Sequence, residues 1–194
     1  GADLFLRDSI RNRFSAFIVF PQCSLDGYWS NVIRDETAVG RARYTFRSGG
    51  TPTRDMAMLQ RLLRQLLIEY PVNRRQVYAG GLSMGAMGTY ELVRRSPGVF
   101  AAAFAICGGA HPATAAKLKN LPWWIFHGGK DDVVIPAFSE AMVQALRKKK
   151  VRVKYTVYPD ANHNSWDRAF AEPLLLSWLF AQKKQADHLT KGIK

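Results

Sequence analysis

Acidic residues are scarce in this 194-residue chain, cysteines scarcer, and no apolar run reaches the roughly 18 residues that a membrane span requires. The amino terminus, Gly1 to Arg7, also lacks a basic stretch followed by an apolar one, so no targeting segment is legible there. It opens on Gly1 rather than methionine, which leaves the compartment open. The only cysteines, Cys23 and Cys107, have neither metal-ligand nor redox spacing, and this excludes a cysteine zinc site or a disulfide framework. Each follows an apolar run (17–20 and 104–106), which predicts buried thiols, and nothing in the sequence supports a disulfide between them. With 15 acidic against 28 basic residues the net charge is +13, a balance that would suit nucleic acid, an anionic membrane surface or an acidic polymer. The cations are dispersed, however. Only Arg147-Lys148-Lys149-Lys150 is dense, and it follows a helical pattern over 138–146, where cations suit the carboxyl end of a helix dipole. No nucleic-acid partner is expected.

What is present is a large apolar complement, 47% hydrophobic and 12% aromatic, enough for one core and too little chain for two ordinary domains. Apolar runs at 16–20, 76–79, 101–106 and 123–126 predict buried strands, and the alternation over 151–158 predicts an edge strand. Helical patterns run over 54–69, 84–95, 136–149 and 172–182. Strand and helix alternate, so the expected architecture is α/β, a mainly parallel sheet with helices on both faces, in a single domain over 1–194 whose polar tail, 183–194, frays.

Gly81-Leu82-Ser83-Met84-Gly85 is a G-x-S-x-G segment placed between the end of a strand and the start of a helix. A turn that sharp needs neighbours without bulk, which Gly81 and Gly85 supply, while Ala86 and Gly88 let the helix approach the sheet. The lysine of a phosphate-binding loop is absent. Ser83 is therefore read as a nucleophile, and a serine hydroxyl needs a base. Of the four histidines, His163 lies in the turn-rich loop after the last strand, where it can reach the carboxyl ends of the central strands; His111, His127 and His188 are less well placed. The orienting acid should fall between serine and histidine in the chain, and the loop holding Asp131 and Asp132 is the candidate, the two aspartates competing.

The segments Ala79 to Ala86, Phe126 to Asp131 and Tyr158 to His163 resemble those of the dienelactone hydrolase and carboxylesterase group of α/β-hydrolases. They are most similar to bacterial esterases described as predicted peptidases or phospholipase/carboxylesterases, some acting on feruloyl or acetyl esters of plant polysaccharides. The resemblance runs from Pro21 to Trp178. It implies an α/β-hydrolase fold, selects Asp131 as the acid because that residue falls four after the histidine of the His127-Gly128 pair, and accommodates Trp166. It also implies earlier strands and a His-Gly-rich loop upstream of Gly1, which would supply half of the oxyanion hole; the other half is the backbone N–H of Met84.

The expected activity is hydrolysis of carboxylic esters through Ser83, His163 and Asp131 with an acyl-enzyme, and neither metal nor cofactor is called for. Expected pocket residues are Gln22, a substitute oxyanion donor, and Trp29 and Trp166, with Tyr28 as a further candidate wall; ordinary packing is the alternative for each indole and the preferred reading for Trp123, and aromatic or sugar-linked acyl groups on small molecules or polysaccharides would suit such walls. The alternatives are a serine peptidase on the same fold and an inactive or basic binding module. An unpaired apolar edge at 16–20 would favour self-association.

Overall fold

The computed structural model describes residues 2–185. Two short helices, α1 (Ala2–Leu6) and α2 (Asp8–Arg11), precede a small antiparallel pair, β1 (Val32–Arg34) and β2 (Tyr44–Phe46). Then follow α3 (Arg54–Glu69), β3 (Tyr78–Leu82), α4 (Met84–Arg95), β4 (Ala102–Ile106), β5 (Trp123–Gly128), α5 (Pro136–Lys148), β6 (Val153–Tyr158), α6 (Trp166–Phe170) and α7 (Leu175–Ala181). Strands β3-β4-β5-β6 lie side by side in that order, all parallel, so each crossover returns the chain to the same end of the sheet. The expected α/β architecture is present, with helices packed on both faces.

Alternation of side chains along the strands explains the two-faced core. Ala103, Ala105, Trp123 and Ile125 pack with Tyr90 and Val93 of α4 and Met142, Val143 and Leu146 of α5. Phe104, Ile106, Trp124 and Phe126 point the other way, onto Ala169, Leu175 and Leu179 of α6 and α7. Trp123 stacks on Tyr90 with ring centroids 4.7 Å apart, and Trp124 stands edge-on to Trp178 at 5.4 Å. Both cysteines are buried and free. Helix α3 begins where Thr53 accepts a hydrogen bond from the Met56 N–H, and α5 begins with Pro136, whose missing N–H costs a first turn nothing. The basic run 147–150 closes α5 and is exposed, as the dipole argument requires.

Two expectations are corrected, and two further features were not foreseen. Residues 16–20 are not a strand: they have no ladder partner among the described residues, and Phe17, Ile18, Val19 and Phe20 are 43–61% exposed. Phe17 instead packs 5.5 Å from the Tyr70 ring at the end of α3. An apolar run becomes a strand only when another strand takes up its backbone groups. The helix expected from residue 172 starts at Leu175, because Pro173 disfavours helical backbone at Glu172, and a separate helix, α6, precedes it. The β1–β2 pair was not expected at all. Finally, the tail is tied down where it begins. Arg75 and Lys184 exchange hydrogen bonds at 3.0 Å, and the Lys184 ammonium donates to the Gly98 carbonyl at 2.7 Å. The rest of the tail lies outside the described residues.

One ion cluster is enclosed by this packing. Glu91 on α4 accepts a two-bond fork from Arg94 (2.6 and 2.7 Å) and a further bond from Arg95 (2.6 Å), and the Glu91 and Arg94 side chains are only 6% and 4% exposed. Removing one partner of such a pair strands a buried charge. Glu91→Ala is expected to destabilise the protein by about 3–5 kcal/mol in urea unfolding monitored by circular dichroism.

Candidate active site

The carboxyl ends of parallel strands are where an open α/β sheet offers side chains a common meeting point. Ser83 follows β3, Cys107 follows β4, Asp131 lies just past β5, and His163 lies in the loop after β6. The register Gly81↔Ala105, Ile106↔Phe126 and Gly128↔Tyr158 brings these ends level.

Ser83 has φ 51° and ψ −119°, a strained conformation for a residue with a side chain. The turn is so tight that a Cβ on Gly81 would strike the Gly85 carbonyl group, which explains the glycine at that position. Serine is a favoured helix N-cap, yet Ser83 makes no side-chain cap to α4. Its Oγ lies 2.9 Å from His163 Nε2 instead. His163 Nδ1 lies 2.8 Å from Asp131 Oδ2; a carboxylate only accepts, so Nδ1 carries the hydrogen and Nε2 offers its lone pair to the Ser83 hydroxyl. The backbone N–H of Met84 opens α4, among those a helix cannot satisfy internally.

Asp131 is 3% exposed. Its Oδ1 accepts from the N–H groups of Val133 (3.0 Å) and Val134 (2.9 Å), and His127 Nε2 lies 3.2 Å from Oδ2. Burial pushes this carboxyl up, but the bonds from His127, His163 and the Val134 N–H outweigh it and hold it at about 2. Asp132, the competing aspartate, is exposed. The His163 loop approaches closely because Gly128 has no side chain: a Cβ there would collide with the Asn162 carbonyl.

Of the other residues singled out in the sequence, Trp166 is half-buried and edge-on to His163, centroids 5.4 Å apart. Gln22 is exposed and, among the described residues, its amide contacts only the Cys23 carbonyl, at 3.5 Å. Trp29 is 8% exposed, packed with Cys23 and Met56 and against Gly88 of α4, a core position and not a pocket wall. Tyr28 donates to Met87 Sδ at 3.3 Å, and Trp123 is fully buried. His111 caps the turn at Ala113, and His188 lies outside the described residues. Sequence reasoning missed the positive φ of Cys107, 44°, and its place beside the pair: its thiol comes within 4.8 Å of ligand atoms of Asp131 and His163. Burial pushes that thiol up to about 12, which disfavours the thiolate a metal would need.

A family model described as phospholipase/carboxylesterase matches residues 50–173. A bifunctional acetylxylan esterase/xylanase of Neocallimastix patriciarum is 34% identical over 83 residues, 42% of this chain and 12% of that protein. The crystal structure of a thermostable esterase superposes with a TM-score of 0.81 at 28% identity, over 95% of this chain and 48% of that one. An acylaminoacyl peptidase of Pyrococcus horikoshii shares the fold, with a TM-score of 0.56 at 14% identity over 72% of this chain and 29% of that one. The chain thus spans about half of the esterase and a smaller share of the curated relative.

The lowered carboxyl of Asp131 has a thermodynamic consequence. Near pH 3 the unfolded chain binds the proton that the folded carboxylate refuses, so stability rises with pH there. The contribution, on the order of 2 kcal/mol, is complete above about pH 5 and lost as pH falls through about 2. Urea unfolding of wild type and Asp131→Asn between pH 2 and 7 should show the wild-type advantage shrinking over that acid interval.

Proposed function

Because the chain belongs to the phospholipase/carboxylesterase family of α/β-hydrolases, we propose that it hydrolyses carboxylic esters with Ser83 as nucleophile, His163 as general base and Asp131 as orienting acid. The observation that carries the reading is the continuous relay from Ser83 Oγ to His163 Nε2 (2.9 Å) and from His163 Nδ1 to Asp131 Oδ2 (2.8 Å). Relay and strain act together: the φ of Ser83 keeps its hydroxyl away from the helix it begins and available to the imidazole.

In the acylation half, the Ser83 proton passes to His163 Nε2 as Oγ bonds to the ester carbonyl carbon, and the carbonyl π pair moves onto oxygen. The backbone N–H of Met84 is the proposed donor to that oxyanion, and one such donor is typically worth about 2.7–4 kcal/mol of transition-state stabilisation. The intermediate collapses as the C–O bond to the alcohol breaks and Nε2 returns the proton to the leaving oxygen. Water then repeats the sequence on the acyl-serine, giving its proton to Nε2, and the carboxylic acid leaves as Ser83 is reprotonated. Asp131 holds the tautomer and stabilises the transient imidazolium without taking its proton.

Acetyl or feruloyl groups on polysaccharides are the proposed substrate class. The acetylxylan esterase/xylanase relative and the half-buried indole of Trp166 beside His163 support it. A panel of p-nitrophenyl acyl esters, acetylated xylan, feruloyl sugar and an aminoacyl p-nitroanilide separates this class from simple esters and from amides.

Ser83→Ala is expected to retain the wild-type circular dichroism spectrum, to lose fluorophosphonate labelling and to lower ester turnover by roughly 10³-fold or more. Ester turnover within about tenfold of wild type would remove Ser83 from the mechanism. The two aspartates give an independent check. Asp131→Asn should lose at least about a hundredfold more activity than Asp132→Asn, since only the first carboxylate meets the imidazole.

A further inference from the structure

His127 is a fully buried titratable side chain to which the proposed reaction gives no task. It is the penultimate residue of β5, and its ring is held by α5 on one side and by the loop between β5 and α5 on the other. Nδ1 lies 2.7 Å from Ser139 Oγ on α5, and that hydroxyl also reaches the Gly108 carbonyl beyond β4, at 2.9 Å. Nε2 lies 2.7 Å from the Val134 carbonyl and 3.2 Å from Asp131 Oδ2. Both of those oxygens are acceptors only, so Nε2 carries a hydrogen whichever way Ser139 turns its own.

We propose that His127 is a positioning residue for the Asp131–His163 pair. The inference rests on the catalytic reading given above. Asp131 Oδ2 accepts from His163, and burial keeps water from its second lone pair; His127 Nε2, whose hydrogen goes to the Val134 carbonyl, stands 3.2 Å from that same oxygen. The same ring grips the other carboxylate oxygen indirectly, because the residue whose carbonyl it binds, Val134, donates its N–H to Asp131 Oδ1 at 2.9 Å. His127 therefore stands against one oxygen of the carboxylate and, through Val134, holds the backbone that binds the other, while Ser139 and Gly108 fix His127. The titratable groups gathered at this point are Asp131 from its own loop, His163 from the loop after β6 and the Cys107 thiol from the end of β4. A carboxylate free to rotate would still be an anion, but it would no longer hold the imidazole at the serine.

Two conservative replacements separate positioning from mere packing, since glutamine places an amide where the imidazole has Nε2 and asparagine places one where it has Nδ1. In His127→Asn, kcat for a p-nitrophenyl ester should fall about 10- to 100-fold with KM changed less than about twofold, the loss that roughly 1 Å of misplacement produces. His127→Gln should recover kcat to within about threefold of wild type. The downfield proton resonance of His163 Nδ1–H should broaden or vanish in the asparagine variant and persist in the glutamine one. Equal losses in the two variants, or an unchanged kcat in His127→Asn, would overturn the proposal. If neither variant folds, Ser139→Ala decides: it releases the far side of the ring, so kcat should drop while KM holds, and an unchanged kcat and resonance overturn the idea. Fluorophosphonate labelling is the control. A wild type that does not label at Ser83 brings down the catalytic reading and this inference with it, whereas a labelling wild type beside a His127→Asn that labels equally fast overturns this inference alone.

Discussion

A carboxylate sealed from water must be surrounded by donors, and in this protein that requirement at Asp131 organises everything near the sheet's carboxyl edge. Its oxygens take hydrogens from the Val133 and Val134 backbone and from His163, with His127 facing the same site. Satisfying it closes the loop between β5 and α5 on itself and draws in the loop after β6. Gly128 is part of the same constraint, because only a residue without a side chain lets the Asn162 carbonyl come so near. The ionised state of Asp131 is thus a product of its neighbours, which win against burial.

Ser83 shows the complementary arrangement, strain in place of satisfaction. The backbone there is held at positive φ by elements with strong reasons of their own to be where they are: β3 paired along its length to β4, and α4 buried through Ala86, Met87 and Tyr90. A strained residue persists only when its surroundings over-determine it. The level register of the parallel strands then delivers serine, imidazole and carboxylate to one place without any long side chain having to reach.

Much of this was legible in the residues. Buried strands in a parallel sheet read as short apolar runs, which is why 101–106 and 123–126 could be recognised, and the glycines around Ser83 announced the turn before the helix. Asp131 was separable from Asp132 only through family resemblance, since two adjacent carboxylates carry the same local signal; exposure distinguishes them in three dimensions. Residues 16–20 read as a strand for the same reason the true strands did, and what failed was pairing, a long-range fact absent from local pattern. Trp29 was misread because an indole suits a pocket and a core alike, and its contact with Gly88 lies about sixty residues away in sequence. The anchoring of Asp131 by His127 and Ser139 depends on hydrogen direction across three elements and has no sequence signature beyond a histidine that ends a buried strand.

The adjacent indoles of β5 offer something of a different kind. Trp123 and Trp124 are both fully buried, yet as neighbours on a strand they face opposite sides of the sheet, one in the layer of α4 and α5, the other in the layer of α6 and α7. Their emission is therefore a built-in pair of optical gauges. In a background where Trp29, Trp166 and Trp178 are phenylalanine, keeping one of the two at a time lets the loosening of each helical layer be timed separately during unfolding, without attaching any dye.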